Sequence, residues 1–418
     1  VRAVIHFAAF GMMIMATANH LATLFVGLEV MSIAVYILAA VKRKSPISAE
    51  AGLKYFLLGA FSSGILLYGA AFVYGETGQL GYDGIRTALL AKGAPGGYLA
   101  LGLALLTVAF GFKIALVPFH MWTPDVYEGA PPPVTAFMAT GVKAAAVLGM
   151  ARFFGQALPA DALGPDLNRD FLLGMALFAL LTILVGNTVA LHQKNLKRML
   201  GFSSIAHAGY LVIGVLAAHQ NGGDLSPVLF YLFTYALANL AIFAVVTFFV
   251  KGAQEEVDLD SVAGLSRTHP FAAAVLALGL LSLAGVPPTA GFFGKLMLFR
   301  SALAAEPEGS KIFLWLVVAA MLGSVISVYY YLRVIVAAYF QEPKGEARPA
   351  PGRALNFALV LAAVGTLWAG IFPGRAIRMS AGATDPSVVA APKAARPGGP
   401  ALEPLPTVEK APTAPKSR

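Results

Sequence analysis

The sequence predicts an all-α polytopic membrane protein with about eleven transmembrane helices: two inverted five-helix repeats, each with a broken fourth helix, plus one C-terminal helix. Three observations carry this prediction. Hydrophobic residues make up 58% of the chain and charged residues 12%, against roughly 25% charged in a soluble domain. The mean hydropathy is +0.74, and the apolar residues fall into runs long enough to cross a bilayer. Two of those runs are interrupted close to a lysine, at matching places in the two halves of the chain.

In order, the apolar runs lie at roughly 3–18, 20–41, 51–75, 98–122, 132–155, 170–191, 198–219, 227–250, 270–305, 311–340 and 354–373. The fourth holds Lys113, with Pro118 five residues on. A proline within a helix removes one backbone hydrogen bond and clashes with the preceding turn. The carbonyls so freed must face protein or water rather than lipid. The ninth run is too long for one plain crossing, and Gly285, Pro287 and Pro288 break it shortly before Lys295, which follows Gly291-Phe-Phe-Gly294. Beyond Pro373 the composition turns to Ala, Pro, Lys and Arg, so residues from about 382 to 418 read as a disordered tail.

Lys42, Arg43 and Lys44 in one short loop, and Lys194, Lys197 and Arg198 in another, lie on the same side by span parity. The excess of positive charge assigns that side to the cytoplasm, which puts the chain start inside and the tail outside. Counted in fives, the fourth spans hold Lys113 and Lys295, and the second spans hold Glu29 and His207. The intervals are similar, 84 residues (113 less 29) and 88 residues (295 less 207). An odd number of crossings makes the second copy enter from the opposite face. Residues 1–155 and 170–340 therefore read as inverted repeats, with 354–373 a final helix, and this is a transporter arrangement.

A lysine in mid-bilayer costs about 2.5–3.5 kcal/mol on insertion scales, so Lys113 and Lys143 in adjacent spans need a reason. Snorkelling to a headgroup is the plain alternative. Both lie too deep for it, with apolar sequence before Lys113 and on both sides of Lys143. Glu29 shares a helix face with Ser32 and Tyr36. It reads either as a neutral hydrogen-bond donor in the bundle or as the charge partner of Lys113. Lys143 has Thr140 at i−3 and small neighbours; desolvation of an amine penalises its charged form, which suits reversible proton uptake. His207, with Ser203 at i−4 and Tyr210 at i+3, reads as a structural histidine or a relay.

Tyr231, Tyr235 and Asn239, and likewise Ser324, Ser327 and Tyr331, are spaced as interior helix faces able to hold water; close packing by small polar residues is the rival account. Lys54 follows Glu50 at i+4 near the start of the third span, the spacing of a surface ion pair. Arg333 is left without a role. The absence of Cys excludes thiolate metal sites and iron–sulfur ligation, and no metal-ligand spacing or nucleotide-binding glycine pattern stands out, so no cofactor is expected in this chain. The net charge of +9 sits in loops and tail and does not signal nucleic acid.

The runs FGFKIALVPFHMWTPDVYEGAPPPVTAFMATGVKAAA, KRMLGFSSIAHAGY and LSLAGVPPTAGFFGKLMLF resemble subunit N of bacterial proton-pumping NADH:quinone oxidoreductase (respiratory complex I), whose mitochondrial equivalent is chain 2. The resemblance spans nearly all of residues 1–375, and PFHMWTPDVYEGAP is its most specific part. It implies an antiporter-like, proton-translocating membrane-arm subunit, part of a translocase but without redox chemistry of its own. FMN, iron–sulfur clusters and quinone would belong to other subunits. In the family pattern Glu29 pairs with Lys113, Lys143 connects the half-channels, and Lys295 lies nearest the second of them. Lys54, Glu50 and His207 fall on positions with proposed proton-transfer roles.

The partners implied are the other membrane-arm subunits, especially neighbouring antiporter-like and small membrane subunits, and the lipid bilayer. The location implied is the bacterial cell (inner) membrane, with the mitochondrial inner membrane as the alternative. The bacterial form carries three helices more, which would precede Val1, and the Pro/Ala/Lys tail departs from the pattern. Two other functions fit the same residues: a subunit of a multi-subunit cation/proton antiporter, and a membrane-arm spacer that pumps nothing. A channel fits poorly, since no ring of charges or filter-like loop is present.

Overall fold

The structure is a computed structural model that describes residues 1–93, 95–249, 257–343 and 352–382. Among the described residues the regular elements are helices, joined by two isolated β-bridges. The first half comprises α1 (Arg2–Thr17), α2 (Leu21–Ala39), α3 (Pro46–Thr77), α4 (Tyr82–Lys92), α5 (Gly97–Ile114), α6 (Trp122–Gly129), α7 (Pro132–Phe137), α8 (Lys143–Arg152) and α9 (Ala160–Leu163). The second comprises α10 (Pro165–His192), α11 (Leu196–Gln220), α12 (Ser226–Phe249), α13 (Leu265–Thr268), α14 (Pro270–Ala284), α15 (Ala290–Ala304), α16 (Ile312–Phe340), α17 (Arg353–Ile371) and α18 (Pro373–Gly382).

Nine of the described helical segments are long and apolar enough to cross a membrane, counting Pro132–Ala157 as one. The other two expected crossings are the shorter α1 and the α14–α15 pair. The helix ends follow from local chemistry. Ser45 and Asn195 cap α3 and α11 by accepting backbone N–H bonds, and Pro46, Pro165 and Pro270 open their helices without losing a donor. Helix α11 is buried at every residue from Met199 to His219, so it forms the central post of the bundle.

Both fourth helices are broken. Helix α5 ends at Ile114, short of the expected 122, because Ala115 takes a left-handed conformation and Pro118 follows. Helix α14 ends where Gly285 takes φ +85°, and the chain resumes as α15 after Thr289. A π-helical turn, Met138–Val142, interrupts the fifth span just before Lys143; such turns re-aim side chains and recur at functional sites.

At one end of the bundle Gly129 lies against Ile47 and Ala51, Asn195 donates to Glu128, and Asn195 bridges to Asp258. The opposite end joins His20 to Gly81 and Arg86 to Asp161. This clustering agrees with the parity count, since the loops expected on one side meet on one side. The tail expected from 382 to 418 lies outside the described residues apart from Gly382. Helix α18, directly after the last span, is absent from the sequence expectation, which ends its last element at 373 where the composition changes.

A buried lysine axis as the candidate functional site

Lys113, Lys143 and Lys295 are 3%, 4% and 6% exposed, so all three amines are inside the bundle rather than against lipid. Each is held by oxygens or aromatic faces, as a buried ammonium requires.

Lys113 ends α5, at the first break. Its Nζ donates to Ser32 Oγ at 2.5 Å and lies 5.6 and 5.5 Å from the ring centres of Tyr36 and Tyr55. Glu29, half-buried one turn before Ser32, accepts from Ser63 Oγ of α3. The expected Glu29–Lys113 contact is thus replaced by two serine contacts, and the charges act on each other over a longer range. The reason is register: Ser32 lies one turn nearer the break than Glu29. The break's freed Phe112 carbonyl accepts from Trp122 Nε1 at 3.0 Å, which ties α6 back onto α5.

Lys143, aimed inward by the π turn, donates to both the carbonyl and the hydroxyl of Ser204 on α11, at 2.6 and 2.5 Å. The Tyr127 and Tyr235 hydroxyls also reach Ser204 Oγ, each at 3.0 Å. Thr140 takes no part, because its hydroxyl donates to its own helix at Ala136. One turn after Ser204, His207 bonds Tyr231 at 2.6 Å through Nδ1 and Tyr331 at 3.3 Å through Nε2, and Tyr331 contacts Ser203.

Lys295 reaches back across the second break and donates to the Ala284 carbonyl at 2.9 Å, the negative end of α14. Its Nζ is 5.3 Å from the Tyr210 ring centre. Tyr210 leads on to Asn187 and Tyr330 by bonds of 3.2 and 3.1 Å. A cavity bounded by His207, Tyr231, Tyr235, Ser282 and Lys295 offers about 10 Å³ to the centre of a water, room for one molecule.

Lys54 and Glu50 lie off this axis, at the rim. Lys54 pairs with Glu50 at 2.6 Å and Asp125 at 2.7 Å, with 41% and 60% of the Lys54 and Glu50 side chains exposed. Arg198 bonds Asp125 at 2.7 Å and Glu128 at 2.6 Å, so the network clamps α6 between α3 and α11. Burial alone pushes the Asp125 carboxyl up, but Lys54 and Arg198 outweigh it and hold it below its ordinary value. A depressed carboxyl contributes stability above its unfolded pKa and loses it as pH falls through the folded one. Acidifying the complex below about pH 4 should therefore loosen this clamp, by about 1 kcal/mol for a part-exposed pair. Thermal inactivation curves of wild type and Asp125→Asn test this: the wild type should lose more on acidification than the variant.

In the stripes expected to face the interior, Tyr231, Tyr235, Asn239, Ser327 and Tyr331 are buried and Ser324 is half-buried. Tyr231, Tyr235 and Tyr331 bond other helices, whereas the Asn239 amide and the Ser324 and Ser327 hydroxyls donate to carbonyls of their own helices. Arg333 caps α10 by donating to the Leu191 and Gln193 carbonyls. The sequence reading missed Ser204, although it stands at i−3 from His207, and it missed the Asp125–Arg198–Glu128 clamp. It also missed Lys197, fully buried with its Nζ on the Ala130 carbonyl at 2.8 Å.

Two broken helices, each with a buried lysine amine at its break, within a helical bundle define an antiporter-like ion-translocating membrane subunit. The family described as "NADH:quinone oxidoreductase/Mrp antiporter, TM" matches residues 18–327. NADH-quinone oxidoreductase subunit N 1 of Sorangium cellulosum is 45% identical over 375 residues, covering 88% of this chain and 72% of that protein. Subunit N of Trichlorobacter lovleyi is 44% identical, covering 90% and 75%. A chain of respiratory complex I from Thermus thermophilus with bound aureothin superposes with a TM-score of 0.75 at 39% identity, covering 90% of this chain and 78% of that one. A chain of the Mrp complex from Dietzia shares the fold, with a TM-score of 0.76 at 24% identity, covering 92% and 78%. The chain belongs to the NADH-quinone oxidoreductase subunit N family, a membrane subunit of that translocase.

Proposed function

We propose that this chain carries protons along Glu29, Lys113, Lys143, His207 and Lys295 as one pump of NADH:quinone oxidoreductase, with Lys54 and Glu50 at the rim of the path. The observation that carries the reading is the row of three buried lysines, each resting on an oxygen that can exchange a hydrogen bond: Ser32, Ser204 and the Ala284 carbonyl. Each amine alternates between charged and neutral as a proton passes. Moving one charge across 100 mV takes about 2.3 kcal/mol.

The two five-helix units, 1–155 and 170–340, act as inverted half-channels meeting at Lys143; the presence of a buried lysine amine at each of the two breaks supports this reading. Flavin, iron–sulfur clusters and quinone belong to other subunits, and the partners are the neighbouring antiporter-like and small membrane subunits. The membrane is a bacterial inner membrane, the compartment suggested by the bacterial relatives. The test is to purify the complex through a tag on this chain and measure proton uptake by vesicles during NADH-driven quinone reduction. Lys113→Ala should lower both turnover and proton yield. Wild-type values for that variant would overturn the assignment.

A further inference from the structure

The polar contacts form two groups. One surrounds Lys113 with Ser32 and Tyr36; the other surrounds Lys143 with Ser204, Tyr127 and Tyr235. Tyr55, beside the first group and stacked on α6, belongs to neither set of hydrogen bonds. Its side chain is fully buried, and its hydroxyl has no hydrogen-bond partner among the described residues. A buried hydroxyl left so is uncommon and is normally satisfied by water. The ring is fixed on both faces of the problem: it stacks on Trp122 at 4.3 Å with an interplanar angle of 8°, and the Tyr36 edge meets it at 4.8 Å. Lys113 Nζ is 5.5 Å from the ring centre, and Trp122, on which the ring stacks, opens the helix α6 that carries Tyr127. Glycine sets the spacing, since Gly129 brings α6 against Ala51 of α3, and Gly201 seats α11 against Pro124 and Tyr127.

We propose that the Tyr55 hydroxyl, bridged by water, is the relay that joins Lys113 to Lys143 through Tyr127 and Ser204. The inference rests on the proton path proposed above. The Lys113 ammonium releases a proton towards Tyr55 Oη. Tyr55, Tyr127 and Ser204 each accept one proton and release one, and neutral Lys143 takes up the last. Lys113 ends neutral, Lys143 ends charged, and the three hydroxyls end unchanged in composition with their O–H bonds reoriented. The phenolic hydroxyl does this because it both donates and accepts, whereas phenylalanine does neither.

The test uses the purified complex carrying Tyr55→Phe, which keeps the ring and its stack on Trp122. Assembly and thermal stability should match wild type. Coupled quinone reduction should slow on the order of 10²-fold, the lower end for a positioned proton-transfer group, with a raised solvent deuterium isotope effect. Tyr127→Phe should act alike, and the double variant should be no slower than either alone, because both interrupt one line. If Tyr55→Phe unfolds the subunit, Tyr127→Phe carries the same rate and isotope readout. Wild-type turnover and isotope effect in both single variants, with Lys113→Ala and Lys143→Ala impaired, would overturn the relay alone. Wild-type pumping in the lysine variants as well would overturn the underlying path.

Discussion

Replacing Lys143 by alanine should stop proton transfer at the midpoint of the axis while the complex still assembles. Of the three axis lysines, Lys143 is the one bound to two oxygens of a single residue, Ser204, and that residue also gathers Tyr127 and Tyr235. Alanine removes the exchangeable amine but leaves Ser204 with its two tyrosines, so the local helices remain joined. The transfer step should slow on the order of 10²-fold or more, and coupled turnover should fall with it. Lys143→Arg separates two explanations. Arginine retains the positive charge but does not deprotonate in proteins. If exchange is the function, arginine should be as inactive as alanine; if a fixed charge is enough, arginine should restore activity. NADH-driven turnover and proton yield of the two variants provide the check.

Gly291→Ala should have the largest effect on assembly. A Cβ at Gly291 would lie 1.8 Å from the Ser282 carbonyl oxygen and 2.7 Å from its carbon. Both are backbone atoms, so no side-chain rotation relieves the clash and α15 must part from α14. Overpacking ordinarily costs about 1–3 kcal/mol, and a backbone collision belongs at or above the upper end. The shift would also draw Lys295 off the Ala284 carbonyl and spoil the Gly291 N–H bond to Ser282 Oγ. The amount of subunit in membranes should drop sharply. Gly64→Ala and Gly174→Ala are the controls, because nothing lies within 4 Å of a Cβ at either position. Both should accumulate normally, with a gain of up to about 1 kcal/mol from helix propensity.

Much of this arrangement was legible before the structure. The three lysines, the two breaks and His207 stood out because a charge or a proline in a 20-residue apolar run has few innocent explanations. Ser32, which holds Lys113, stood out only as a neighbour on the Glu29 face, and the other hydroxyls of the axis did not stand out at all. Ser63, Ser204 and Tyr127 look like ordinary helix residues, and their roles come from neighbours 34 to 77 positions away. Periodicity records which residues share a helix face but not which face meets which helix. That is why Ser324 and Ser327 were grouped with Tyr331, though their hydroxyls turn back onto the helix. The same limit explains Glu29: charge complementarity and the family pattern pair it with Lys113, while the packed register gives Lys113 to Ser32. The π turn before Lys143 has no proline or glycine pair to announce it, yet it aims that side chain.

The most direct measurement is a map of the assembled, membrane-embedded complex at a resolution that shows ordered water. The account predicts water density in contact with Tyr55 Oη and in the cavity between His207 and Lys295, so that hydrogen bonds run from Lys113 to Lys295 without a break. Dry apolar packing at either place, in every state of the catalytic cycle, would contradict it.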